Sequence, residues 1–116
     1  MITKDLVIQF LKEFKDKKKI WGIFFRDDRG KNAQTLADLE IRPIEREKII
    51  DALSVEDYSD GPLKDTLNKA ADMWVFGKMV KKKEIYIKVT MGWPGAQVIC
   101  ISFHVAEKNI SYPFKH

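Results

Sequence analysis

Apolar positions recur along this chain with two periods, helical first and strand-like later. Leu6, Val7, Phe10, Leu11 and Phe14 are spaced by three and four residues and form one helical stripe. Thr3 is placed to cap that helix, and the basic run from Lys15 to Lys19 complements its C-terminal dipole as a solvated helix end. Ile20, Trp21, Ile23, Phe24 and Phe25 are a β-prone burst that predicts an early edge strand over 20–25. After the polar loop Arg26-Asp27-Asp28-Arg29-Gly30, Asn32 is a candidate cap for a short helix through Leu36, Leu39 and Ile41. Pro43 suits the first turn of a further helix, whose apolar face would hold Ile44, Ile49, Ile50 and Leu53. Ser54 starts one more turn through Asp57 and Tyr58. Ser59-Asp60-Gly61-Pro62 predicts a turn, and 63–71 reads either as helix or as a long loop.

From Trp74 onward the period is two. Trp74–Val80, Glu84–Met91 and Gln97–Val105 predict a three-stranded meander with turns at Lys81–Lys83 and Gly92–Gly95. The tail Asn109–His116, with Tyr112-Pro113-Phe114, is expected to pack back on the sheet. In the second strand the odd residues are Ile85, Ile87 and Val89, and the even ones Glu84, Tyr86, Lys88 and Thr90. In the third the odd residues are Ile99, Ile101 and Phe103, and the even ones Val98, Cys100, Ser102 and His104. Successive strand residues point to opposite faces, so one face belongs to a core and the other gathers Tyr86, Lys88, Ser102 and His104. A tight Lys81–Lys83 turn pairs Val80 with Glu84 and sets Lys78 opposite Tyr86. A second turn over 92–96 pairs Met91 with Gln97, so that Tyr86 faces Ser102 with His104 diagonal to it. Helices followed by a meander predict an α+β domain, with N-terminal helices on one face of a small, mainly antiparallel sheet and the polar face open.

A length of 116 residues fits a single domain over 1–116 with one core. Twenty-one Lys and Arg against 17 Asp and Glu give a formal charge of +4, which permits a polyanionic partner without demanding one. The single cysteine, Cys100, excludes an internal disulfide and suits the reducing cytoplasm. With only His104 and His116 beside it, no zinc-ligand set exists, so neither a metal nor another cofactor is expected. Met1–Asp5 lacks the start of a signal peptide, and no apolar run reaches membrane-spanning length, so no membrane partner is expected.

The polar face has the parts for cutting RNA. A 2′-hydroxyl must lose a proton and attack phosphorus, the leaving 5′-oxygen must gain one, and charge grows on the phosphoryl oxygens between them. Imidazole titrates near neutrality, so His104 is a candidate acid. Lys88 or Lys78 would hold the phosphate, supplying the electrostatic term without a metal. Tyr86 would position or deprotonate the 2′-hydroxyl, or stack on a base. Each residue has a plainer reading: a packed strand tyrosine, a solvated lysine, a surface histidine. Lys81–Lys83 reads as a solvated hairpin turn or as edge charges that block aggregation. Trp74 and Phe76, on the face of Lys78, read as a hydrophobic sheet end or as a base-stacking platform.

Leu53-Ser54-Val55-Glu56-Asp57-Tyr58, Met73-Trp74, Ile85-Tyr86-Ile87-Lys88-Val89-Thr90 and Ile99-Cys100-Ile101-Ser102-Phe103-His104 follow one another in an order that resembles the MqsR family of type II toxins. The resemblance covers roughly the last two-thirds of the chain. It implies a RelE-like fold, messenger-RNA endoribonuclease activity with or without the ribosome, and a cognate antitoxin as partner. The family's strand tyrosine falls on Tyr86. Its catalytic lysine after Ser-Phe falls on His104, and a histidine at that end of the sheet is similar to the wider RelE group, where it serves as acid. The family's lysine after the Asp-aromatic pair falls on Asp60, with Lys64 as a substitute, and its glutamine after Trp falls on Val75. The expected catalytic set is His104, Tyr86, Lys88 and Lys78, and the expected RNA-binding set Lys64, Ser102, Trp74 and Phe76. Two alternatives use the same scaffold: a non-catalytic RNA- or protein-binding module, and a ParE-like toxin with a target other than RNA.

Overall fold

Thr3 caps the first helix as expected, its Oγ1 accepting from the Leu6 N–H at 3.3 Å. That helix, α1 (Lys4–Trp21), buries Val7, Phe10, Leu11 and Phe14, while Leu6 stays exposed at the margin of the stripe. The computed structural model describes every residue except Arg29, Asn68 and His116. Arg29 of the polar loop, Asn68 of the 63–71 segment and His116 therefore lie outside the described residues. Beyond α1 the chain runs through β1 (Ile23–Phe25), α2 (Gly30–Leu39), α3 (Pro43–Asp51), a single 3₁₀ turn (Val55–Asp57), β2 (Tyr58–Leu63), β3 (Met73–Val80), β4 (Lys83–Thr90) and β5 (Val98–Val105).

Among the described residues the architecture is α+β, with three helices on one face of a five-stranded mixed sheet of order β1-β5-β4-β3-β2. β1 runs parallel to β5, and the other pairings are antiparallel. The core lies between the helices and that face, where Val7, Phe14 and Ile50 meet Phe76, Ile85, Ile87 and Phe103. Burying each such side chain contributes about 1.5–3 kcal/mol. No helix among the described residues is long and apolar enough to cross a membrane.

Five local expectations are corrected. Ile20 and Trp21 belong to the last turn of α1, not to a strand. Gly22 ends the helix at φ +82° with its N–H on the Lys18 carbonyl, so only Ile23–Phe25 remains for the strand. Asn32 does not cap α2. It lies inside the helix, buried, and works across the fold as described below. Ser59–Pro62 is no reversal but the middle of edge strand β2, which follows β3 through two register shifts.

The β3–β4 turn contains two residues, not three. Lys81 and Lys82 adopt φ of 49° and 69°, the left-handed backbone that two-residue hairpins use. Val80 therefore pairs with Lys83, Gly77 with Tyr86, and Lys78 with Ile85. A one-residue slip exchanges sheet faces, so Lys78 is carried to the helix-covered face.

The fifth correction is a bulge in β5. Lys88 pairs with Ser102 and Val89 with Cys100, which leaves Ile101 as the extra residue. Upstream of it the alternation inverts: Val98 and Cys100 enter the core, and Ile99 and Ile101 join the open face. Asn32 holds this bulge. Its Nδ2 donates to the Ile101 carbonyl at 2.9 Å and to the Arg26 carbonyl at 3.0 Å, and its Oδ1 accepts from the Phe103 N–H at 3.0 Å. β1 pairs with β5 only from Val98 to Cys100, so one amide side chain takes the place of a neighbouring strand just beyond.

Candidate active site

On the open face, Tyr86 of β4 stands directly opposite His104 of β5. Their rings stack with centroids 5.3 Å apart and planes 13° from parallel. Lys88, two residues on, places its Nζ 5.8 Å from the Tyr86 ring centroid and pairs across the strands with Ser102. The β4–β5 connection and the bulge each move the register by one residue from the expected one, so His104, rather than Ser102, faces Tyr86. All four residues line a cleft of about 650 Å³. Asp60 of β2 and its partner Val75 of β3 line it as well.

The C-terminal segment forms the far wall. Tyr112 Oη donates to Glu84 Oε2 at 2.8 Å, and the Ile110 N–H donates to Oε1 of the same carboxylate at 3.3 Å. Gly77 makes room for this crossing, since a Cβ there would stand 2.3 Å from Tyr112 Oη and 2.9 Å from Ile110 Cδ1. Phe114 then stacks on Tyr58 at 5.4 Å. The tail packs on the sheet as expected, and residues 107–111 border the cleft.

Protonation follows from these surroundings. Burial, reinforced by the negative charge of Asp60, raises the Tyr86 phenol above its ordinary value, so at neutral pH its hydroxyl donates hydrogen bonds rather than removing protons. His104 Nδ1 lies 3.0 Å from the Val105 carbonyl. A carbonyl oxygen only accepts, so the proton of that contact is on Nδ1, leaving Nε2 for a ligand. Glu107 is held below the usual carboxylate range chiefly by its hydrogen bond from Lys31, with His104 a weaker influence.

Three expected site residues lie elsewhere. Lys78 is on the helix-covered face, where its Nζ binds Asp57 Oδ2 at 3.0 Å. Trp74 stacks on Phe10 at 4.4 Å, and Phe76 is fully buried in the core. Trp74 and Phe76 pack beneath α1 against Phe10, and none of the three side chains meets a ligand on the open face. Lys64 lines a second depression of about 410 Å³ beside the first, and Lys88 lines both. Sequence reasoning passed over Asp60, Gly77, Arg26 and Trp93. An isolated glycine within a strand pattern is itself a sign of close approach and marks Gly77.

No protein-family model, curated protein or solved structure matches this chain.

Proposed function

We propose that this protein is a RelE-like messenger-RNA endoribonuclease of the MqsR type, the toxin of a toxin–antitoxin pair, and that Tyr86, Lys88 and His104 carry its chemistry with Asp60. The reading is supported above all by one observation: the Tyr86–His104 pair stands beside Lys88 in an open cleft, where packing alone does not require an acid, a phenol and an ammonium together.

The reaction needs no group beyond these. The 2′-oxygen forms a bond to phosphorus as its proton passes to the Asp60 carboxylate, and the P–O5′ bond breaks as protonated His104 gives its Nε2 proton to the leaving oxygen. The Lys88 ammonium and the Tyr86 hydroxyl offset the charge that develops on the phosphoryl oxygens. The products are a 2′,3′-cyclic phosphate and a 5′-hydroxyl. Asp60 takes the acceptor's part because the raised Tyr86 phenol is a poor base. A cognate antitoxin would silence the enzyme by covering the same face. Expression of the protein should arrest growth, and His104→Ala or Tyr86→Phe should relieve the arrest in variants whose circular dichroism matches the parent. Full toxicity in both variants would overturn this assignment.

A further inference from the structure

The open face continues past the catalytic cluster. Beyond Lys88 lies the second depression, floored by Ile99 and Ile101 and bordered by Arg26, Lys64 and Trp93. Its volume of about 410 Å³ is within the range of small-ligand sites, roughly 300–1,000 Å³. We propose that this end of the groove binds the nucleotide adjacent to the scissile phosphate of a single-stranded RNA. Trp93 stacks on the base, and Arg26 and Lys64 hold the phosphate. The inference rests on the nuclease reading above and extends it along the chain of the substrate.

Four observations carry it. The depression adjoins the catalytic cleft at Lys88, which lines both, so it lies where a neighbouring nucleotide on the same strand would fall. Its charged lining is mainly cationic, with Arg26, Lys64 and Lys88 against Asp65. Arg26 is held by Asp28 at two points, Nε to Oδ1 at 3.2 Å and Nη2 to Oδ2 at 3.3 Å, in a pair whose acid is 63% exposed, so solvent screens the pair and a phosphate can compete for the guanidinium. Finally, Trp93 remains 49% exposed although its loop is anchored. Lys17 Nζ reaches from α1 to the carbonyls of Met91 and Trp93, and Gly92 N–H donates to Thr90 Oγ1 at 3.3 Å. That same hydroxyl donates to the Ala71 carbonyl at 2.9 Å, which ties the opposite bank of the depression to β4. A large aromatic ring on a fixed loop beside cations suits a planar base, and base stacking on such a ring is worth about 1–3 kcal/mol.

The test uses the full-length protein and a fluorescein-labelled, mixed-sequence 2′-O-methyl oligoribonucleotide, which cannot be cut because its nucleophile is blocked. Trp93→Ala should raise Kd by about 10-fold, in keeping with the loss of one stacked base. Arg26→Ala and Lys64→Ala should each flatten the dependence of log K on log salt by about one unit or less. Circular dichroism identical to the parent must accompany each result. If all three variants bind as the parent does while the parent cleaves unblocked RNA, the subsite is wrong and the nuclease stands. If the parent binds through Trp93 but cleaves RNA neither free nor on ribosomes, the nuclease is wrong and Trp93 marks a base-stacking site without a scissile phosphate beside it. A parent that neither binds nor cleaves RNA overturns both.

Discussion

Tyr112 lies where a side chain on Gly77 would stand, its hydroxyl 2.3 Å from the position of a Cβ on that glycine. The tail reaches the open face only because β3 has no side chain at this point, and Glu84 then fixes it. Gly77→Ala should destabilise the fold by about 1–3 kcal/mol, as overpacking does. In a Tyr112→Ala background most of that cost should vanish, because the obstructing ring is gone. A double-mutant cycle by urea denaturation measures the coupling, and strictly additive costs would show that the tail does not bear on Gly77.

Asn32 satisfies the edge of β5 at the bulge with one buried amide, 2% exposed. Asn32→Ala would strand the Phe103 N–H and the Ile101 carbonyl away from water. An unsatisfied buried group costs about 1–3 kcal/mol, so a loss of about 2–5 kcal/mol is expected. Hydrogen exchange should rise first at Phe103. A loss below 1 kcal/mol, on the order of a surface change, would mean that the bulge does not depend on this side chain.

Alkali should weaken the protein, and the sign follows from Cys100. Burial pushes its thiol from 9.0 up to about 12. Between those values the unfolded chain has released the proton and the folded chain has not, so stability is complete below pH 9 and falls as pH rises. A single such group contributes a slope of about 1.4 kcal/mol per pH unit. Burial raises Tyr58 and Tyr86 in the same direction, which steepens the fall above pH 10. Urea midpoints from pH 8 to 10.5 should decline, and less steeply in Cys100→Ala. Parallel profiles for the two proteins would contradict the assignment.

These elements differ in how far the sequence disclosed them. Thr3, the α1 stripe, Pro43 and the apolar β4 face were legible because capping and periodicity are local. So was the gathering of Tyr86, Lys88, Ser102 and His104 on one face, since each lies within three residues of another on its own strand. The place of Lys78 was not. It turned on whether three lysines make a turn of two residues or three, and left-handed lysines carry none of the Asn-Gly signal of such a turn. Nor was the Ile101 bulge, whose support comes from Asn32, 69 residues earlier. Trp74 and Phe76 share the face of Lys78, so the same two-residue turn sets them opposite Val89 and Ile87 in the core, where Phe10 stacks on both.

Asp60 separates two accounts of the cleft by the sign of one effect. As the acceptor of the 2′-hydroxyl proton, its replacement in Asp60→Asn should slow RNA cleavage by about 100-fold or more. As a mere bystander, the carboxylate would only repel phosphate, and Asp60→Asn would speed cleavage or tighten binding. Single-turnover rates at saturating RNA distinguish these outcomes.

The most direct measurement is cleavage of a mixed-sequence RNA by the purified protein in the presence of a chelator, with His104→Ala alongside. The expected result is cutting that leaves cyclic phosphate ends and falls by about 100-fold or more in the variant. Cutting that is equally fast in the variant, or that ends in 3′-hydroxyls, would contradict the central role given to the Tyr86–His104 pair.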